Sequence, residues 1–398
     1  MQFDSEQSVQ NVPTRRAVIV GAGIAGLAVA LRLRQIGWEP IVVEKAPERR
    51  DSGYVVTLFG LGYHAAERRG VLQAMRARHV EPFEFRYVKP DGRHRFSVPS
   101  AAVHDLLGDR SLVLLRGDVE DVLYQAVHDA VDIRFGTTVE SVTQDREGVR
   151  AVLSDGSTVD AELLVGADGL HSTVRRLVFG PEHQFRHGLN HMVTACVLDG
   201  RPDRVPAGTA TMLATVGRTV TVISLGPDRA AAFLIHATPD PAADLAAGPV
   251  RAVGEYFGDL GWLVPDIQAR LREPASVYFD SVSQIVTDRW GRGRVVLLGD
   301  AAWCVSLFGG YGSSFALAGA DLLATTLDHH PEDIPAALNT WESHLRPTVE
   351  QRQRLGRRNT TAHAPATRFH LIARDVSMRL VALAPVRRLI RHRLDLHG

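Results

Sequence analysis

Residues 16–45 read RAVIVGAGIAGLAVALRLRQIGWEPIVVEK, and the alternation within this stretch decides the fold. The apolar run Ala17 to Val20 has the length of a buried strand. A turn, Gly21-Ala22-Gly23-Ile24-Ala25-Gly26, follows at once, an amphipathic stretch of helical period runs to Ile36, and IVVE closes a second strand at Glu44. The glycines permit a tight turn, let a pyrophosphate approach the backbone, and let the new helix pack close against the strand. The amides and dipole of that helix start attract negative charge. Glu44 stands 18 residues beyond Gly26, where a carboxylate accepts from both ribose hydroxyls of an adenosine and repels a 2′-phosphate.

Outward from this βαβ unit the pattern changes twice. FEFRYV and RHRFSV, within residues 83–98, flank Pro90-Asp91-Gly92 and read as a hairpin. Helical period returns at Asp118 to Val131, and short strands around Ile133 and Val149 lead to AELLVGADG at 161–169. From His191 to His236 the chain reads HMVTACVL, TATMLATV, TVTVISL and AAFLIH, successive hairpins that predict an antiparallel sheet. After a helix near 248–258 and the strand SVYFDSV, RVVLLGD at 294–300 and the helical FALAGADLLATTL return the chain to the first unit. The folding units are therefore interleaved.

Composition narrows the function. The 398 residues are 45% hydrophobic, with 45 basic residues against 45 acidic ones. That is ample for a core, and the balanced charge disfavours a nucleic-acid partner. Lys45 and Lys89 are the only lysines. Cys196 and Cys304 lie far apart without a C-x-x-C pair, so no disulfide framework or cysteine metal site is encoded and a cytoplasmic location is expected. The 17 histidines show no metal-ligand spacing. No apolar run reaches membrane-spanning length, and residues 1–14 lack an apolar signal core.

Two later segments separate FAD from NAD. LLVGADGLHSTVRR (163–176) sets Asp168-Gly169 after an apolar strand and ends in arginines, and RVVLLGDAAWCVSLFGGYGSS (294–314) sets Asp300 at a strand end before a glycine-rich turn. A carboxylate so placed accepts from a ribityl hydroxyl, and amides at a helix start near Gly312 and Ser313 face the flavin pyrimidine edge, where negative charge gathers on reduction.

Taken together, these segments resemble the class A flavoprotein monooxygenases, the aromatic-hydroxylase family whose fold also serves tetracycline-inactivating flavoenzymes; the resemblance covers roughly residues 15–350. It implies that Gly21, Gly23, Ala25, Gly26, Glu44 and Lys45 hold the adenosine half of FAD, and that Asp168 and Gly169 touch FAD and passing NADPH or NADH. Gly299 and Asp300 would bind the ribityl chain, with Gly310, Gly312 and Ser313 beside the flavin. Arg50 in EKAPERRDSG and Arg116 in LLRGDVEDVL match two arginines that approach FAD in the family. The sequence departs from the family where His and then Pro usually follow Gly-Asp-Ala-Ala, since Trp303 and Leu307 stand there. Trp303 either walls the flavin pocket and keeps water out or packs behind the turn. The halogenase signature W-x-W-x-I-P is absent.

Ser314 in Gly312-Ser313-Ser314-Phe315-Ala316 is a near miss for a hydrolase nucleophile, too far beyond its strand to serve as one. The tail from Arg368 to Arg393 carries seven arginines among apolar residues at helical spacing, including Leu371, Ile372, Leu380, Leu383 and Ile390. It reads as a terminal helix docked on its own protein, with membrane-surface binding the rarer option.

The expected architecture is α/β. A Rossmann-like FAD-binding domain of the para-hydroxybenzoate-hydroxylase type spans residues 15–80, 100–178 and 284–345, an inserted antiparallel β-sheet substrate domain spans 81–99 and 179–283, and C-terminal helices span 346–398. The expected protein is a monomer or homodimer. The expected activity is monooxygenation of a hydrophobic aromatic or polyketide-like small molecule with NAD(P)H and O₂, a substrate class to which the apolar strands around Met192 and Met212 also point. The alternatives are a redox-silent FAD-bound cyclase and a non-catalytic flavin-binding partner subunit.

Overall fold

The structure is a computed structural model and describes residues 15–49, 54–80, 83–272, 277–383 and 385–387. Arg50 and Ile390 lie outside these residues. The first strand, Arg16–Val20, sits between Leu163–Gly166 and Glu39–Glu44, parallel to both. Asp132–Phe135 extends the sheet on one side, and Val295–Leu297 with the short antiparallel Gly291–Arg292 on the other, giving six strands. Val, Ile and Leu fill these strands because both faces are covered.

The helix Ile24–Gln35 corrects one expectation. It is buried at every position from Ile24 to Leu33, so it is not amphipathic over that span. It packs between the sheet and the helix Gly312–His329, and apolar residues are needed all round. Its one buried charge, Arg32, ion-pairs at 3.2 Å with Asp321 of that neighbour, which also pairs with Arg68 and Arg69.

A seven-stranded sheet stands apart from this layer. Its longest strand, Arg186–Asp199, pairs antiparallel with the edge strand Val277–Ile285 on one side and Arg229–Ala237 on the other. The sheet continues through Arg218–Ser224 and Thr209–Thr215 to the hairpin of Glu84–Val88 and His94–Val98. It is not wholly antiparallel, because the hairpin joins Thr209–Thr215 in parallel. A second core forms on one face, where Cys196, Leu213 and Leu234 pack with Phe257, Trp262 and Ile267. A two-stranded ribbon, Val55–Phe59 with Ser111–Leu115, was not anticipated from sequence.

Three tryptophans lock the returning segment into the core. Trp303, 1% exposed, lies 4.6 Å from Trp290 and 5.7 Å from Trp341 between ring centroids. A Cβ at Gly319 would stand 2.8 Å from the Trp303 ring. The indole is thus turned toward the helix Gly312–His329, and the pocket-wall reading of Trp303 is corrected to packing. Its Nε1 is buried without a hydrogen-bond partner.

Trp303→Ala should therefore cost about 3–5 kcal/mol in urea unfolding. Trp303→Phe should cost far less, because it also removes an unpaired buried N–H. A loss below about 1 kcal/mol for the alanine variant would show that the cluster does not carry this load.

Candidate active site

The cleft between the six-stranded sheet and the seven-stranded sheet opens to solvent and has a cavity volume of about 280 Å³. Gly23, Ile24, Ala25, Arg116, Gly169, Gly299, Asp300, Gly310, Gly312 and Ser313 all line it, so segments separated by up to 290 residues meet there. Two helix starts open into it. Ile24–Gln35 begins after Gly23 and Gly312–His329 after Tyr311, and neither preceding residue supplies a capping side chain. Apart from the Ile24 amide, which Glu120 takes, their leading amides have no capping side chain and favour negative charge.

Around the first helix start the chain is tied by backbone bonds. Glu44 accepts from the amides of Ala22 and Ala46, both at 2.8 Å, which fixes the glycine turn against the end of the second strand. Lys45 is exposed beside it. Gly21 and Gly26 lie behind the turn rather than on the cleft. Gly26 is held so close that a Cβ would stand 1.8 Å from the Gly21 carbonyl oxygen. Glu120 takes the Ile24 amide and ion-pairs at 2.6 Å with Arg116. Burial raises the Glu120 carboxyl above its usual range, and Arg116 opposes that rise. A Cβ at Gly23 would sit 3.4 Å from Glu120 and 3.6 Å from Arg116, so glycine keeps a cradle open there.

On the floor, the two Asp-bearing segments are joined by Arg175. This fully buried guanidinium donates to the carbonyls of Leu170 at 2.6 Å and Ala301 at 2.9 Å. Asp168 turns into its own loop, accepting from Ser172 Oγ at 2.5 Å and the amides of Thr173 and Val174. Gly169, not Asp168, borders the cleft. Asp300 borders it directly; the protein around it raises its carboxyl above the usual range, and Arg116 pulls it back. Burial likewise pushes the Cys304 thiol well up, so it is not a thiolate. Ser314 is buried and accepts the Phe59 amide at 3.2 Å, a structural anchor. Among the described residues no cluster of three His, Cys, Asp or Glu is placed to hold a metal.

The opposite wall is one face of the seven-stranded sheet. Val193, Phe233 and Val282 present apolar surface, with Ser281 and Ser283 at its side, and Leu307 from the turn after Asp300 packs beside them. Met192 and Met212 are not on this wall. Tyr54 and Tyr278 face each other at 5.3 Å between centroids, and burial pushes the Tyr54 hydroxyl up to about 12. It therefore remains a proton donor at neutral pH. Sequence reading missed these tyrosines because no glycine or aspartate pattern marks them; only the fold brings residues 54 and 278 together.

The group that fits is a dinucleotide flavin. Two amide-rich helix starts and the Gly23 cradle suit the phosphates and an electron-rich ring edge, Glu44 suits a ribose, and Asp300 suits a polyol.

Comparison with known proteins agrees. The profile described as FAD binding domain matches residues 14–354. An uncharacterized protein of Mycobacterium tuberculosis is 29% identical over 367 residues, 88% of this chain and 95% of the relative. The FAD-dependent monooxygenase asL6 of Sarocladium schorii is 29% identical over 366 residues, 86% of each chain. The crystal structure of tetracycline destructase Tet(51) matches with a TM-score of 0.78 at 27% identity, covering 93% of this chain and 97% of that one.

At the cleft edge His171, in the turn after Asp168-Gly169, reaches Asp280 at 3.3 Å and Glu182 at 3.1 Å. Asp280, with Glu182, holds the imidazole above its ordinary value. The bridge's stabilisation is present in full below the unfolded value of 6.5 and fades as pH rises through the higher folded one. Urea midpoints of the protein and His171→Gln should differ most near pH 6 and converge in mildly alkaline buffer. A gap that widens as pH rises would contradict the assigned charge state.

Proposed function

The chain belongs to the FAD binding domain family, and from that premise we propose that this FAD-dependent monooxygenase oxygenates a hydrophobic aromatic or polyketide-like small molecule, with NAD(P)H and O₂ as co-substrates. The observation that carries the reading is the two-sided cleft. One side offers two helix starts, Arg116 and Asp300, and the other the apolar face of Val193, Phe233 and Val282. The likeness to a tetracycline destructase supports the polyketide-like class.

When bound, FAD supplies the redox chemistry, accepting reducing equivalents from the nicotinamide and passing one oxygen atom of O₂ to the substrate. The amides after Gly23 would meet the pyrophosphate, Glu44 the adenosine ribose, and Asp300 the ribityl hydroxyls. Arg116 adds positive charge and keeps Glu120 from repelling the phosphates. Val193, Phe233, Val282 and Leu307 exclude water and orient an apolar ring. Tyr54, protonated at working pH, donates a hydrogen bond to a substrate oxygen.

Cofactor released from purified protein should be FAD. Glu44→Ala should weaken its binding about tenfold or more, since a charge-assisted hydrogen bond contributes about 1.5–3 kcal/mol. Arg116→Ala should lower FAD content while Arg150→Ala, on an exposed ion pair with Asp160, leaves it unchanged. Recovery of NAD, or of no nucleotide together with no affinity for added FAD, would refute the assignment.

A second measurement follows NAD(P)H and O₂ during incubation with phenolic polyketides. Joint consumption that depends on the substrate is expected. Turnover without either would instead identify a redox-silent cyclase, and binding without turnover a partner subunit.

A further inference from the structure

The C-terminal helix Arg368–Val381 has two apolar faces, and the fold uses one. Inward, Met378 and Val381 join Tyr87, Phe96, Val98 and Ala102, and buried Asp375 ion-pairs with Arg95 and Arg374. Outward, Phe369, Ile372, Val376 and Leu380 are 75%, 58%, 49% and 45% exposed, and Leu383, just past the helix, is 52% exposed. Steps of three, four and four residues keep the four helical side chains within an arc of roughly 80° at about 100° per residue. Single exposed apolar residues need no explanation, but a continuous stripe marks a surface that meets something.

Charge indicates what that is. Exposed Arg368 and Arg379 run along one edge of the stripe, and the helix's one carboxylate, Asp375, lies beyond that edge, buried and neutralised by Arg95 and Arg374. Beyond the helix Arg387 is ion-paired with Asp105, and the sequence then adds Arg388, Arg391 and Arg393 against Asp395 alone. A second copy of this helix would set arginine against arginine with no exposed carboxylate on either to answer. Five side chains also cover far less than the roughly 800 Å² per partner of a stable dimer. An anionic lipid surface meets both features at once, because the apolar stripe sinks to the boundary of headgroups and acyl chains while arginines reach the phosphates.

We propose that the outer face of the helix Arg368–Val381 docks the protein on anionic membrane surfaces, lying in the interface. Among the described residues no helix is long and apolar enough to cross a membrane, so the contact is peripheral.

The test is co-sedimentation of the FAD-loaded protein with vesicles of phosphatidylcholine alone and of phosphatidylcholine with phosphatidylglycerol. Binding is expected only to the second, falling as salt rises from about 0.05 M to about 0.5 M. Ile372→Glu with Val376→Glu should abolish binding. Arg368→Gln with Arg379→Gln should lower it on the order of thirtyfold, as loss of two basic residues near a charged surface requires. Flavin absorbance and circular dichroism matched to the parent establish that each variant is folded, and the arginine pair leaves the apolar stripe intact if the glutamate pair does not fold. No difference between the two vesicle types, or undiminished binding by either folded variant, would overturn the proposal. So would absence of vesicle binding with a concentration-dependent dimer that the glutamate pair dissolves, which would assign the stripe to a second copy.

Discussion

The close approach of backbone to backbone at Gly21 and Gly26 is the constraint on which the rest of the structure depends. Gly21 has φ +106°, and a Cβ there would stand 2.5 Å from the Ala167 carbonyl oxygen. Gly26 sits against Gly21 in the same way, and Gly299, at φ +66°, would place a Cβ 2.8 Å from that of Ala25. Three loops at the ends of neighbouring parallel strands therefore touch where glycine leaves out a side chain. Any side chain at these positions would push the helix Ile24–Gln35 off the sheet and carry its first amides away from the cleft.

The second layer is coupled to the first through buried amides rather than through apolar packing alone. Gln353, on the helix Ile334–Arg358, donates to the carbonyls of Ile285 at 2.7 Å and Trp303 at 3.2 Å. Gln284, at the end of the longest cleft-facing strand pair, donates to Val305 and Gln353, and Arg357 donates to its oxygen. These bonds hold the loop that follows Asp300 in a conformation that includes Ser306 at φ +69°, where a side chain is strained. A Cβ at Gly356 would meet the Val305 oxygen at 3.0 Å, so the clasp again relies on a missing side chain. The sheet that supplies the apolar wall and the loop that supplies Asp300 are thus fixed to each other.

What could be read from sequence divides along the range of the interaction. The glycine turn, the strands around it, the hairpins and the family resemblance rest on neighbours in the chain, and they are legible. Trp303 shows the limit: its spacing from Asp300 allowed a wall or a packed indole, and the choice lay with Trp290 and Trp341, which no local pattern connects to it. The helix Ile24–Gln35 looked amphipathic because Arg32 and Arg34 break its apolar run, whereas Asp321, 289 residues away, neutralises the first of them. The strand Val55–Phe59 went unread because its partner, Ser111–Leu115, is remote and its own alternation is weak.

The distribution of helix caps separates stability from function. Among the described residues four helices reach twelve residues or more. Two of them start away from the cleft, and each has a side-chain cap: Asp333 accepts the Ala336 amide at 2.9 Å, and Thr367 accepts that of His370 at 3.2 Å. The two that start on the cleft are preceded by Gly23 and Tyr311, neither of which supplies a capping bond. A capping oxygen stabilises a helix by about 1 kcal/mol, so its omission at both cleft-facing starts is a cost to the fold. That cost falls where exposed amides are useful for chemistry, as local rules in folded proteins tend to yield at working sites. Glu120 then explains how the first start is held in order: it takes the Ile24 amide from a neighbouring helix, with Arg116 balancing its charge.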